Sequence, residues 1–325
     1  MKPRTTNRPS GGRSRSKPPP AKRESSLNIN GKIVPVSNLD KVFYPETGFT
    51  KGQVIDYYVR ISPVLLPHLK DRPLTLKRYP DGVEGGFFYE KRCPSYRPEW
   101  IQTATVWSDR NEEEINYCLA NDLPSIVWAA NLGDLELHTF LAKQQDVERP
   151  TMVVFDLDPG PPANILQCAQ VAQWLKEELD ALELESFPKT SGSKGLQIYI
   201  PLNTPVTYEV TKPFARTMAE RLTREHPDLI VAKMEKRLRT GRVFVDWSQN
   251  DSHKTTVCAY SLRAKEHPTV STPVTWEEVG TALKKRDPKR LTFVSDEVLK
   301  RVEDHGDLFA PVLKLKQKLP SLDQS

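Results

Sequence analysis

Hydrophobic and polar positions along the chain follow two rhythms. Runs that alternate with period two, or that are apolar throughout and short, predict β-strands at KIVPV (32–36), LTLKRY (74–79), TATVW (103–107), TMVVFDL (151–157), LQIYIPL (196–202) and RVFVDW (242–247). Other stretches repeat their apolar residues every three or four positions and predict helices. TKGQVIDYYVRISPVLLPHL offers Thr50 as an N-cap and places Val54, Tyr57, Tyr58 and Ile61 on one face. Three more follow: NILQCAQVAQWLKEELDALE from Asn164, KPFARTMAERLTREHP ending at Pro227, and TWEEVGTAL over 275–283. Strands and helices interleaved in irregular order predict an α/β (α+β) class, with a division near residue 145, where the polar stretch KQQDVERP precedes an apolar run. No internal repeat of 20–50 residues is visible, which argues against a solenoid.

One strand ends in a way that a core does not require. MVVFDLDPG (152–160) finishes in two aspartates one residue apart. Residues i and i+2 of a strand share a face, so Asp156 and Asp158 are expected side by side, with Leu157 turned into the core and Pro159-Gly160 ending the strand. Two such anions repel unless a cation lies between them, and hard oxygen donors without nearby Cys or His favour Mg²⁺ or Mn²⁺. RVFVDWSQN repeats the arrangement with Asp246. Three acids on neighbouring strand ends could hold two metals about 3.5–4 Å apart, the clamp used in phosphoryl transfer. A lone DxD is more often a pair of turn-capping acids.

Between these acids lies KTSGSKGLQIYIPL (189–202). Gly192 and Gly195 permit a tight turn whose backbone N–H groups could converge on an anion, and Lys194 adds charge. GxxxxGK[ST] is absent, so this is not a Walker loop, and a Ser-Gly turn is by itself more often a plain hairpin loop. Arg239 and Arg263 flank Asp246 in sequence and could grip phosphate, although exposed arginines are commonly just solvated.

At 325 residues and 38% hydrophobic, the chain can bury one large core or two modest ones. Its +5 net charge is unevenly placed: residues 1–27 hold eight Lys or Arg against Glu24 alone, a net +7 that leaves the remainder at −2. Residues 1–27 are therefore expected to form a disordered basic tail, able to add salt-sensitive attraction to nucleic acid or simply solvated. No run is long and apolar enough to span a membrane, and no secretory leader is present, so a cytoplasmic protein is expected. Cys93, Cys118, Cys168 and Cys258 lack CxxC spacing and read as reduced structural thiols.

DLDPG, TSGSKGL and VDWSQN, in that order, resemble the polymerase domain of bacterial LigD, a branch of the archaeo-eukaryotic primase superfamily that acts in non-homologous end joining. The resemblance covers about residues 28–315, leaving 316–325 as a C-terminal tail. It implies a primase-like fold: a catalytic mixed β-sheet with flanking helices, plus an N-terminal α/β subdomain. NLDKVFYPETGFTKGQVIDYY looks like the family's opening, which implies that Asn38, Lys41 and Lys51 receive the 5′-phosphate of a DNA end. RYPDG and FFYEK look like blocks whose aromatics stack on DNA, implying Phe87 and Phe88. GDLELHTF is similar to the segment with a family histidine essential to activity, here His138; alone, such a histidine would usually be structural. By resemblance Asp156, Asp158 and Asp246 bind two Mn²⁺ or Mg²⁺ ions, while Ser191, Gly192, Lys194, Gln197, Arg239, Gln249 and Arg263 serve the incoming nucleotide.

One departure stands out, because the family cradle usually ends in histidine where this chain has Gln197, which can donate a hydrogen bond but cannot carry charge or a proton. The resemblance implies a template-directed nucleotidyltransferase that prefers NTPs over dNTPs and fills gaps at broken ends. No ligase lysine motif is seen, so a separate ligase and Ku are the expected partners. A primase-polymerase of replication or damage tolerance, a non-catalytic DNA-end bridging module and a metal-dependent phosphodiesterase are the alternatives.

Overall fold

The computed structural model describes residues 24–109 and 111–322. In chain order these form β1 (Glu24–Ile29), β2 (Lys32–Ser37), β3 (Val42–Tyr44), β4 (Phe49–Thr50), α1 (Lys51–Leu69), β5 (Leu74–Arg78), β6 (Phe88–Glu90), β7 (Thr103–Ser108), β8 (Glu113–Cys118), α2 (Leu123–Asn131) and β9 (Asp134–Thr139). There follow β10 (Ala142–Lys143), β11 (Asp146–Pro150), β12 (Met152–Pro159), α3 (Ile165–Ala181), β13 (Phe187–Thr190), β14 (Leu196–Pro201), α4 (Tyr208–Glu225) and β15 (Ile230–Val231). The last elements are β16 (Val243–Asp246), β17 (Thr256–Val257), α5 (Trp276–Lys285) and α6 (Ser295–His305).

Two sheets dominate this mixed α/β architecture. The first has the order β17-β9-β5-β8-β7, with β6 added to β5. The second has the order β13-β14-β12-β16-β15 and is antiparallel except for the parallel pair β15–β16. Period-two alternation sets their faces. In β12, Val153, Phe155 and Leu157 are fully buried against Cys168, Val171 and Leu175 of α3 and Phe214 and Met218 of α4. Val154, on the other face, joins Tyr199 in a separate core built on the first sheet and α1. Asp156 and Asp158 continue that second face, toward the first sheet. There Leu74, Leu76, Leu135 and Leu137 pack on Ile61 and Leu65 of α1, so Thr75, Lys77, Glu136 and His138 take the opposite side.

Helix starts obey local chemistry. Thr50 caps α1 through a capping box with Gln53, and Asn164 caps α3 in the same way with Gln167. The second sheet opens at Met152, soon after the expected division near 145, but the chain then returns: β17 joins the first sheet, and Val298, Leu299, Phe309 and Val312 pack into the first core.

Three sequence expectations change. Cys93 and Cys118 form a disulfide rather than two thiols, because the segment after β6 lies along β8, with the Cys93 N–H on the Asn116 carbonyl at 2.7 Å; Cys168 and Cys258 are free and buried. Residues 24–27, assigned to the basic tail, belong to β1, paired in register with β2, while residues 1–23 lie outside the described residues. The assigned C-terminal tail is docked through 322: Gln317 accepts from the Glu185 N–H and donates to the Pro201 carbonyl, and Leu319 and Leu322 pack on the second core. Among the described residues no helix is long and apolar enough to cross a membrane.

Candidate active site

The carboxylates meet through strand register. Asp156 pairs directly with Asp246 across β12–β16 and with Gln197 across β12–β14, while Asp158 pairs with Phe244. Burial pushes the Asp156 carboxyl up to about 7, reinforced by Asp158 and Asp246 and opposed by a hydrogen bond from Gln197 and the charge of Lys189. Asp158 is also raised, by burial and then Asp246, against the pull of Arg239 and Arg263. Asp246 is tied locally: Oδ1 accepts from the Ser248 backbone and hydroxyl at 2.9 and 2.6 Å, and Oδ2 accepts from Gln249 Nε2 at 2.7 Å. Among the described residues no three His, Cys, Asp or Glu side chains already converge as a metal centre. The donor set nonetheless fits a hard divalent cation in kind, since it consists of carboxylates whose mutual repulsion such an ion would relieve.

Asp156 and Asp158 border a cavity of about 460 Å³ between the two sheets, lined with them by Ser191, Lys194, Gln197, Gln249 and Arg263 on one side and by Thr75, Tyr89 and His138 on the other. Asp246, Gly192 and Arg239 are not among its lining residues. Arg239 instead stacks on the Phe244 ring at 3.7 Å and donates to the Met234 carbonyl, so only its charge reaches the site.

The glycine turn is pinned in a different way from the expected open cradle. Ser191 Oγ accepts from the N–H groups of Ser193 and Gly195, at 3.2 and 3.1 Å, so these donors point at a side chain of their own loop. Gly192 has φ +66°, and a Cβ there would meet the Val270 carbonyl at 2.6 Å, which leaves glycine as the residue that fits. Arg263 donates to the Ser191 carbonyl at 2.5 Å and Thr269 to that of Gly192 at 2.6 Å. Lys194 projects from this loop into the cavity lining.

Across the cavity, Glu136 is an anchor that the sequence reading did not single out. It is 1% exposed, yet its Oε2 meets His138 Nε2 at 3.0 Å, Lys77 Nζ at 3.1 Å and Arg263 Nε at 3.3 Å, while Oε1 accepts from Tyr79 and the Ala264 N–H. Burial would raise its pKa, but the His138 hydrogen bond and the charges of Arg263, His138 and Lys77 hold it well below the usual range. His138 is lowered by burial, and Arg263 and Lys77 add to that against Glu136. A neutral ring donating from Nε2 to Glu136 leaves Nδ1 as an acceptor.

The aromatic block lies at the cavity's edge. Phe87 and Phe88 are 54% and 44% exposed, but strand alternation sends them to opposite faces. Phe87 shares its face with Tyr89, which is 56% exposed, and Lys77 Nζ lies over both rings at 4.7 and 5.6 Å. Arg78 lies over Phe88 at 5.1 Å. Tyr89 therefore groups with the predicted stacking residues; its place two residues after Phe87 in FFYEK was the available signal.

A second charged cluster forms at the start of α1. The 38–41 turn folds back on the helix N-terminus through Lys51 N–H to the Lys41 carbonyl and Gly52 N–H to the Leu39 carbonyl, both 2.8 Å. Asn38 is exposed with φ 52°, Lys41 Nζ reaches Asp81 at 2.6 Å, and Lys51 Nζ reaches the Ser37 carbonyl at 2.7 Å. Burial, and after it the charge of Lys41, lower Lys51 to about 8. Asn38, Lys41 and Lys51 thus gather at one helix start, apart from the carboxylate cavity.

The profile of the LigD primase-polymerase domain family matches residues 50–309. The chain is 40% identical over 281 residues to the multifunctional non-homologous end joining protein LigD of Mycolicibacterium smegmatis, covering 86% of this chain and 36% of that protein. It is 33% identical over 285 residues to the bifunctional LigD of Bacillus subtilis, covering 87% of this chain and 45% of that one. The chain thus spans about a third to a half of the length of these relatives. The structure is similar to the polymerase domain of Mycobacterium tuberculosis ligase D solved in complex with DNA, with a TM-score of 0.79 at 38% identity over 86% of this chain and 97% of that one.

Proposed function

The chain belongs to the LigD primase-polymerase domain family, and from that premise we propose that it is a template-directed nucleotidyltransferase that fills gaps at DNA double-strand break ends from NTPs. The observation that carries this reading is the in-register meeting of Asp156 and Asp246, with Asp158 on the same face, beside a cavity lined by Ser191, Lys194, Gln197, Gln249 and Arg263. The family implies dependence on a divalent metal; Asp156, Asp158 and Asp246 would hold two ions, Mn²⁺ or Mg²⁺. Bound there, such ions lower the pKa of a primer 3′-hydroxyl and neutralise charge on the transferring phosphate.

The chain's own residues do the rest. Lys194 and Arg263 hold the triphosphate, with Ser191 and Gln249 fixing its orientation from the loop and from Asp246. Arg239 adds positive potential behind Asp158. The 3′-hydroxyl gives up its proton to solvent and its oxygen bonds to the α-phosphorus as the bond from that phosphorus to the bridging oxygen of the β-phosphate breaks and pyrophosphate leaves. Phe87, Phe88 and Tyr89 give stacking faces worth about 1–3 kcal/mol per base. Asn38, Lys41 and Lys51 receive the downstream 5′-phosphate, favoured by the α1 N-terminus, and Ku with a ligase activity would complete joining. A neutral His138, held by Glu136, offers Nδ1 toward the cavity.

A second reading, a non-catalytic end-bridging module, draws on the engagement of Asp246 by Ser248 and Gln249. Labelled-NTP incorporation on a gapped duplex with a downstream 5′-phosphate, in Mn²⁺ or Mg²⁺, separates the two. Incorporation should occur and vanish in Asp156→Ala; equal signal from both proteins would exclude the carboxylate mechanism, and indifference to the 5′-phosphate would exclude the end-joining role.

A further inference from the structure

Lys189 lies in β13, is 0% exposed, and was assigned no role by sequence. Among the described residues no carboxylate forms an ion pair with it; its hydrogen-bond partners are neutral. Its Nζ donates to Gln197 Oε1 at 2.5 Å and to Ser271 Oγ at 2.6 Å, and lies 5.5 Å from the centre of the Tyr199 ring. A fully buried lysine is expensive to charge, and burial lowers this one to about 7; a core position of this kind would be more simply filled by methionine. What the amine does is select one of the two orientations of the Gln197 amide.

A glutamine side chain has one acceptor end and one donor end. Oε1 of Gln197 accepts from Lys189 and from the Tyr199 hydroxyl at 3.3 Å. Reversing the amide would set its NH₂ against the Lys189 amine; the Tyr199 hydroxyl, which also reaches Thr256 Oγ1 at 3.2 Å, can donate or accept and is neutral to the choice. With Oε1 held by Lys189, the NH₂ is turned toward Asp156, its register partner across β12–β14. Gln197 also lines the cavity, and an NH₂ has two hydrogens. One can serve Asp156 across the strand pair and the other a nucleotide oxygen.

We propose that Lys189 is a positioning residue for nucleotide transfer: from beneath the cavity it locks the Gln197 amide so that its NH₂ bridges the Asp156 carboxylate and a phosphate oxygen of the incoming nucleotide. The proposal rests on the polymerase reading for the identity of the ligand. The lock itself is independent of that reading.

Lys189→Met, Gln197→Leu and the double variant test it in primer extension with NTP. Each single change should lower kcat about tenfold with KM within about twofold, and the double variant should lose about tenfold rather than a hundredfold, because the two side chains act as one unit. In metal-free ¹⁵N-labelled protein, the Gln197 side-chain amide signals, identified by their loss in Gln197→Leu, should be protected from exchange and lose that protection in Lys189→Met. Multiplying losses in the double variant, wild-type kcat in Lys189→Met, or amide signals indifferent to that change would each overturn the proposal. Should Lys189→Met fail to fold, wild-type kcat in Gln197→Leu overturns it alone. A wild-type protein that incorporates nothing would refute the polymerase reading, and the amide signals would still report on the lock.

Discussion

At the cavity, three aspartates occupy neighbouring strand positions and burial raises Asp156 to about 7; at the start of α1, two lysines meet and burial lowers Lys51 to about 8. The two regions mirror each other in charge. Each gathers like charges that folding by itself would keep apart, and each shifts a pKa toward the uncharged form. A ligand of opposite sign would relieve both: under the proposed function, divalent cations in the first and a phosphate in the second. They differ in support. The carboxylates are faced by an organised basic set, with Lys189 acting through Gln197 and Arg263 held by Glu136, whereas Lys51 is satisfied by a backbone carbonyl and Lys41 by the exposed Asp81. The cavity should therefore fail steeply when altered and the lysine cluster gently.

The largest effect should come from Asp246→Asn, which keeps the shape and the Ser248 contacts but removes charge from the carboxylate cluster. Nucleotide incorporation should fall by at least about 10³-fold, while the preference of the protein for 5′-phosphorylated over 5′-hydroxyl DNA stays unchanged. Loss of both together, measured by primer extension and by fluorescence anisotropy, would show that the two regions are not separable.

Glu136→Gln comes next. It leaves Arg263 and Lys77 beside a neutral amide in a site where the carboxylate is 1% exposed, so folding stability should drop by about 3 kcal/mol, the usual cost of unpairing a buried charge. Incorporation should fall by about 10²-fold, since His138 loses its anchor and Arg263 its second hold. Urea unfolding and steady-state kinetics check the two parts; unchanged kcat in a folded variant would remove Glu136 from the supporting set.

Lys51→Met probes the lysine cluster. Discrimination between 5′-phosphate and 5′-hydroxyl ends should decline about tenfold, with primer extension on a template lacking a downstream strand unaffected. A matching loss there would place Lys51 in the catalytic support rather than in end recognition.

The two regions also differed in how far the sequence could be read. Period-two alternation placed Asp156 and Asp158 on one face with Leu157 opposite, and the structure has that arrangement because Val153, Phe155 and Leu157 must all meet α3 and α4. Asp246 could be matched to the pair by strand pattern, although its register with Asp156 is a long-range fact. Asn38, Lys41 and Lys51 came from family resemblance alone, since nothing in their spacing shows that the 38–41 turn folds onto the helix start. Helix α2 escaped because LPSIVWAAN is buried nearly all round and has no amphipathic rhythm. Glu136 and Lys189 escaped for a related reason: a charged residue within a strand reads as surface, and only the packing of two sheets shows that these are inside. The Cys93–Cys118 bridge is likewise set by β8 lying beside the segment after β6, a neighbour relation that spacing does not encode.

The smallest expected effect is also the most specific to the lysine cluster. Lys51 has a folded-state pKa of about 8, below the ~10.4 of a free lysine. Its protonation therefore favours the unfolded chain, and the resulting stability cost, full below pH 8, should disappear as pH rises from 8 toward 10. Phosphate binding has the opposite dependence, because it needs the ammonium form. A terminal phosphate ester, with a second pKa near 6, stays dianionic above pH 7. Raising pH from 7.0 to 8.5 should thus weaken binding of a 5′-phosphorylated end about fourfold, the fall in the protonated fraction of a group titrating near 8. A 5′-hydroxyl end should show no such change, and neither end should in Lys51→Met. Anisotropy titrations at constant ionic strength read this directly. A fall of equal size for both ends would assign the titration to a group outside the cluster and leave the contrast between the two regions resting on the carboxylates alone.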